Sequence, residues 1–350
     1  MACLDRERCG ATIAMREGEA LSIQLARALR PRTLLPGDGT ACARLMRKVT
    51  PLDERLDRRL AQVIDDLLDE DRLVGGLIED YDATGERSVV AATLSAFVTP
   101  EFQQAYLAKP WPCLTNWLLR RCLDGGSDMF LDRSQQAQGN LSRGLDLVML
   151  DYIQTPMDFT SPEGRRIMTV FFPFYLSIHR GYNLNSMIVE AGAAYEQMAL
   201  SAGFRLHRKL DLDAEPPAEP VPPGASTKRA VYCFQREMAA DTPPSTPVSA
   251  IFTYLPPRFR FTAGEQRMLL RAIDGLTDEE IAGTLAVSRD AVKQTWRSIY
   301  DHVIQVMPDL VERRQARGGE GARGQEKRRR IVAYVRDNAQ ELRPHYLRRG

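Results

Sequence analysis

Apolar positions change their spacing several times along this 350-residue chain. From Asp53 to Leu68 they recur at helical intervals, and a first helix is expected around Leu21 to Leu29. The runs Leu73 to Ile78 and Val89 to Val98 are strand-like, and Thr84-Gly85 between them predicts a hairpin turn. Thr99 starts a helix-rich patch through Trp117 and Leu119. Leu145 to Tyr152 and Phe171 to Ile178 read as buried strands, and Tyr182 to Ala202 as a helix closed by Gly203. Two more strand-like runs, Phe204 to Leu210 and Val231 to Met238, flank the Pro-rich residues 216–223, which predicts a long hairpin-type loop. Strands alternating with helices, with one hairpin early and another late, predict an α/β or α+β sheet domain over residues 1–240.

A different pattern begins after two Pro-rich stretches that bracket a strand-like Ala250 to Tyr254, so residues 241–258 read as a linker. Thr262 with Glu265, and Thr277 with Glu280, have capping-box spacing; Gly275 stands where a helix should end, and Ser288 can cap a third helix. Leu269, Ile273, Ile281, Leu285, Val287, Val292, Trp296, Ile299 and Val303 then predict one small core. Three short helices with a tight turn between the last two suit DNA, because the final helix can enter a major groove.

Residues 261–300 resemble the DNA-binding domain of the LuxR (GerE) family of transcription regulators. The match runs through Phe261-Thr262, Glu265, Leu269, Gly275, Thr277, Glu280-Ile281-Ala282, Leu285, Val287-Ser288, Val292-Lys293 and Ile299-Tyr300. It implies an all-α helix-turn-helix over residues 259–310, with Arg289, Lys293, Gln294, Arg297 and Ser298 directed at double-stranded DNA. The sequence departs from the family at Ala291, Thr295 and Trp296, where Thr, His and Leu are usual, and at the acidic Asp278-Glu279-Glu280. Residues 258–310 carry seven basic and eight acidic side chains, so this unit alone is expected to bind DNA weakly. Residues 311–350 carry a net charge of +7. Lys327, Arg328, Arg329 and Arg330 are therefore expected to supply supplementary phosphate contacts from a basic helix that follows a joint with glycines at 318, 319, 321 and 324.

The element order of residues 1–240 resembles the Gcn5-related N-acetyltransferase fold, through the early hairpin, the HRGYNLNSMIVEAG junction and the late SAGFRLHRKL junction. That family holds the pyrophosphate of acetyl-CoA on amides at a helix start, and Arg180, Gly181 and Asn183 approximate such a loop. The resemblance implies a CoA or ligand loop at these three residues. PAS-like and other ligand-binding α/β folds are competing architectures.

The net charge of +1 hides a split between an acidic body and the basic tail. No apolar run has the length of a membrane span, the N-terminus is not a secretion signal, and six cysteines without C-x-x-C pairs predict reduced cytoplasmic thiols. Asp146 to Asp151 followed by Pro156 has the look of a receiver phosphoacceptor strand. Asp65-Asp66 lie too far upstream and no Lys occurs between Lys109 and Lys209, so that reading is rejected. The four histidines have no spaced carboxylate or Cys partner, so no catalytic residue, metal or cofactor is expected.

The expectation is a multidomain α/β (or α+β) plus all-α chain. It would be a non-enzymatic transcription regulator, a homodimer with no membrane contact, controlled by an unknown small-molecule or protein effector. A CoA-dependent acyltransferase and a non-enzymatic adaptor are the alternatives.

Overall fold

The structure is a computed structural model and describes residues 29–345 except 84, 86–87, 193–194, 216, 218–220, 244–245 and 313–319. The helix expected at Leu21 to Leu29 lies outside the described residues, apart from Leu29, which opens the first strand.

Seven strands form one sheet in the order β1-β2-β3-β4-β5-β7-β6. They are β1 (Leu29–Thr33), β2 (Leu73–Asp80), β3 (Val89–Val98), β4 (Leu145–Gln154), β5 (Leu184–Gly192), β6 (Arg205–Asp211) and β7 (Lys228–Gln235). Every neighbouring pair is antiparallel except β4 with β5, which is parallel. The early and late hairpins are both present, as β2-β3 and β6-β7.

Strand alternation sends side chains to two cores. Leu94, Ala96 and Val98 of β3 and Val148 of β4 pack with α1 (Gly39–Met46), α2 (Glu54–Asp69), α3 (Pro100–Ala108) and α4 (Leu114–Leu123). The apolar stripe of α2, including Leu56, Leu60, Ile64 and Leu67, is buried there, and Asp53 caps the helix by accepting from the Arg55 and Leu56 amides. Phe97, Leu145, Leu147, Met187 and Phe234 occupy the other face. Around the sheet also lie α5 (Arg133–Leu141), α6 (Pro162–His179), α7 (Glu196–Ala202) and α8 (Arg236–Asp241); Ile167, Phe171 and Tyr175 place α6 in that second core.

Three expected elements are corrected. Phe171 to Ile178 is not a strand but the second half of α6, because a continuous apolar run carries no period to separate strand from buried helix. Tyr182 to Ala202 is not one helix: it divides into β5 and α7, whose C-terminal Gly203 adopts φ 108. Ala250 to Tyr254 is not strand: Ser249–Phe252 is a 3-10 turn whose Ile251 and Phe252 are buried in the second core. Residues 248–252 of the expected linker are thus packed on the sheet.

The remaining helices are α9 (Ala263–Ile273), α10 (Asp278–Thr284), α11 (Arg289–Val306), α12 (Pro308–Glu312) and α13 (Glu320–Asp337), followed by a 3-10 turn, Ala339–Leu342. Both capping boxes form, Ser288 caps α11, and Gly275 adopts φ 86 after α9. The core of this helical unit joins Leu269, Ile281, Val292, Trp296, Ile299 and Val303 to Ile331 and Val335 of α13. Val287 is corrected: it lies at the surface rather than in the core, with 45% of its area exposed. Gly321 and Gly324 lie inside α13 rather than in a joint, and residues 318 and 319 lie outside the described residues.

Candidate active site

The two central strands do not stay together. β4 and β5 pair from Leu145 with Leu184 to Met149 with Val189. Beyond that point β4 remains on β3, as far as Gln154 with Ala91, while β5 remains on β7, as far as Gly192 with Arg229. The strands therefore part. Register is broken at the same place: Leu94 faces Asp151 and Ser95 faces Met149, so Leu150 bulges out. Its carbonyl is satisfied by the Thr115 hydroxyl instead of the ladder.

A cavity of about 440 Å³ opens at this gap. Met149, Leu150, Asp151 and Tyr152 line it from β4, and Val189, Glu190, Ala191 and Gly192 from β5. Met168, Phe171, Phe172 and Tyr175 of α6 give it an apolar wall. Thr50, Thr115, Asn116, Asp151, Glu190 and Arg229 give it polar groups. Since α6 and α4 belong to the cores on different faces, the cavity reaches across the sheet through the parted strands.

Two of these polar groups suit proton transfer. Burial pushes the Asp151 carboxyl up to about 6, and the hydrogen bond from the Thr50 hydroxyl offsets this only in part. Burial also pushes the Tyr195 phenol up, and the neighbouring Asp151 charge adds to the shift. A carboxylate that titrates near neutrality and a phenol that stays protonated thus share one cavity. Glu190 is a different case. Its side chain is 3% exposed and accepts from the Cys113 amide at 2.9 Å, the Leu114 amide at 2.5 Å, and Arg229 Nε. It anchors the start of α4 and fixes the Arg229 side chain.

The expected CoA loop at Arg180, Gly181 and Asn183 is corrected. These residues follow the C-terminus of α6 and lead into a strand, so they present no helix start. The Asn183 amide donates to Asn140, and the Arg180 carbonyl accepts from Arg343. Gly181 adopts φ 85, and a Cβ there would lie 2.4 Å from the Gln340 nitrogen. Gly181→Ala should therefore destabilise the chain by about 2 kcal/mol or more, read as a lowered denaturant midpoint at unchanged slope.

The helix that does follow β4 is α6, and its start is poorly suited to a pyrophosphate. Pro162 there has no N–H, Ser161 already takes the Gly164 amide, and Glu163 adds negative charge. The residues present do not fit a CoA diphosphate cradle at that helix.

In the helical unit, Arg289, Lys293, Gln294, Arg297 and Ser298 are all exposed on α11, away from buried Val292 and Trp296. Arg289 lies 3.8 Å from Glu279, and Lys293 lies 3.0 Å from Asp290. The tail residues are less available than expected. Arg328 forms a fork with Asp278 at 2.8 and 2.9 Å and stacks on Trp296 at 4.4 Å. Arg329 and Arg330 pair with Glu326, and Lys327 is half-buried. Two sequence departures, Asp278 and Trp296, thus belong to one cluster that fastens α13 to α10 and α11.

No family model matches the chain, and no curated protein matches it. Among solved structures it is similar to FeeM, an N-acyl amino acid synthase from uncultured soil microbes. Identity is 9% over 62% of this chain and 95% of that one, with a TM-score of 0.35. NAA60 of Arabidopsis thaliana, in complex with acetyl-CoA, is 12% identical over 59% of this chain and 98% of its own, with a TM-score of 0.33. Mutant forms of the spermidine/spermine N-acetyltransferase SpeG from Vibrio cholerae are 9% identical over 61% and 98%, with a TM-score of 0.35. Each of these solved structures is an acyl- or acetyltransferase, against the expectation of a non-enzymatic chain. Likeness at this level says nothing of a substrate. The LuxR-type resemblance finds no counterpart in these comparisons. Among the described residues, no helix is long and apolar enough to cross a membrane, and no cluster of metal ligands occurs.

Proposed function

We propose that this chain transfers an acyl group from a thioester to an amine in the cleft where β4 and β5 part. The observation that carries the reading is the placement of Asp151 and Tyr195 in one cavity beside an apolar wall. Asp151 takes a proton from the incoming ammonium, and the freed amine attacks the thioester carbonyl. The C–N bond forms, the C–S bond breaks, the Tyr195 hydroxyl donates a proton to the departing thiolate, and the proton that the acylated nitrogen sheds returns to the phenolate. The apolar side chains of α6 receive the acyl chain, which favours a fatty over a short acyl group. Thiol release from an octanoyl thioester, followed with a thiol reagent across a panel of amines, tests this. Absence of amine-dependent thiol release and of amide product in mass spectra would remove the reading.

A second reading concerns the helical unit and rests on the exposed polar face of α11. Arg289, Lys293, Gln294, Arg297 and Ser298 contact double-stranded DNA there. Arg329 and Arg330 contribute less than their charge suggests, because Glu326 neutralises them in part. In gel shifts with genomic DNA, Lys293→Ala with Arg297→Ala should weaken binding and reduce the salt slope by about two. Binding by the double variant that matches wild type at every salt concentration would refute the assignment.

A further inference from the structure

The polar part of the cavity points to the kind of amine accepted. Arg229 stands on β7 opposite Gly192, beyond the last paired residues of β4 and β5. Among the described residues, its hydrogen bonding runs through Nε to Glu190, and the residue lines the cavity. Glu190 in turn draws on the Cys113 and Leu114 amides, so its charge is not answered by Arg229 alone. The guanidinium therefore keeps attraction for a further anion, and its Nη edge has the fork geometry that suits a carboxylate.

We infer that the acceptor is an amine bearing a carboxylate, an amino acid in the simplest case, and that Arg229 anchors its carboxylate. This inference rests on the acyl-transfer reading. In an amino acid the amine and carboxylate share one carbon or are separated by few, so anchoring at Arg229 presents the amine within the same cavity as Asp151. The two acidic side chains nearby, Glu190 and Asp151, disfavour a phosphate dianion at this place and leave a monoanion as the fitting guest. Glu190 acts as a positioning residue, holding the guanidinium plane rather than touching substrate.

The test compares a product-like acid with its uncharged twin. Full-length protein is titrated by calorimetry at pH 7.5 with N-decanoyl-phenylalanine and with its methyl ester. The acid should bind at least about tenfold more tightly. Arg229→Gln should remove that preference, and Arg229→Lys should restore part of it. Equal binding of acid and ester by wild type, or absence of binding by both, overturns the carboxylate anchor. That comparison needs no variant, so it stands even if Arg229→Gln does not fold. In turnover, phenylalanine should exceed phenethylamine about tenfold in kcat/KM. A preference for the acid in calorimetry without amide formation from any amine would leave the anchor standing and remove the acyl-transfer reading.

Discussion

Asp151→Asn should make the protein both less active and more stable at pH 7.5. Loss of the proton acceptor should lower turnover about 10²- to 10⁴-fold. Asparagine can still accept from the Thr50 hydroxyl, so the local geometry survives. The stability effect follows from the direction of the shift. The Asp151 carboxyl is raised from 3.8 to about 6 in the folded chain, chiefly by burial. The folded state thus holds this proton more tightly than the unfolded one. Its contribution is full below the ordinary carboxylate value and is lost as pH rises through about 6. At pH 7.5 the ionised form opposes folding by up to about 3 kcal/mol, and the amide removes that opposition. Melting curves for the two proteins should converge at pH 4 and separate by several degrees at pH 7.5. The wild-type pH–rate profile should climb to a plateau above about pH 6. A variant within tenfold of wild-type turnover would exclude Asp151 as the base.

Arg343→Ala should loosen the helical unit from the sheet. The guanidinium is buried, with the residue 6% exposed; Nε donates to the Arg180 carbonyl and Nη2 to the Ser177 carbonyl, both at 2.8 Å. It also stacks on Tyr182 at 4.7 Å. Truncation leaves two carbonyls unpaired and a hole beside Tyr182, at a combined cost of about 3–5 kcal/mol to docking. Other bonds also cross the joint: Asp274 accepts from the Thr33 hydroxyl at 2.6 Å, buried Asn140 donates to the Pro344 carbonyl at 2.8 Å, and Arg267 meets Asp71 at 2.5 Å. The expected result is a two-step thermal transition and rapid tryptic release of the helical unit. Arg343→Lys should fall between, because an ammonium reaches one carbonyl but not both. A single unshifted transition in Arg343→Ala would show that the joint does not depend on this residue.

The sequence was most readable where local chemistry decides structure. Thr262, Thr277 and Ser288 each cap the helix expected of them, because a cap depends only on residues within one turn. The β2-β3 and β6-β7 hairpins were likewise visible from two apolar runs and their turns. The active-site candidate was not. Asp151 was seen only inside a rejected phosphoacceptor pattern, while Tyr195 and Arg229 carried no signal. Their meeting depends on strands β4 and β5 pairing in parallel and then parting, which joins residues from three stretches of chain. The bulge at Leu150 gives no compositional sign either. Arg180 and Gly181 looked like an anion loop because the apolar run before them hid a helix. The basic tail was legible as charge, but its partners Asp278 and Glu326 were not.

The joint around Arg343 also bears on the order of assembly. Its bonds connect residues 163 and 166 positions apart, and Asp274 reaches back 241 positions to Thr33. Contacts so distant along the chain reward closure only after both partners are already shaped. The sheet and the helical unit are therefore expected to acquire their own cores first, with docking last. On dilution from denaturant, backbone signals of strand and helix should recover ahead of protection at the Arg343 seat. An intermediate with both units formed but unjoined would leave the seat beside Tyr182 and Gly181 bare, and it is this species that a folding helper or a protease would meet.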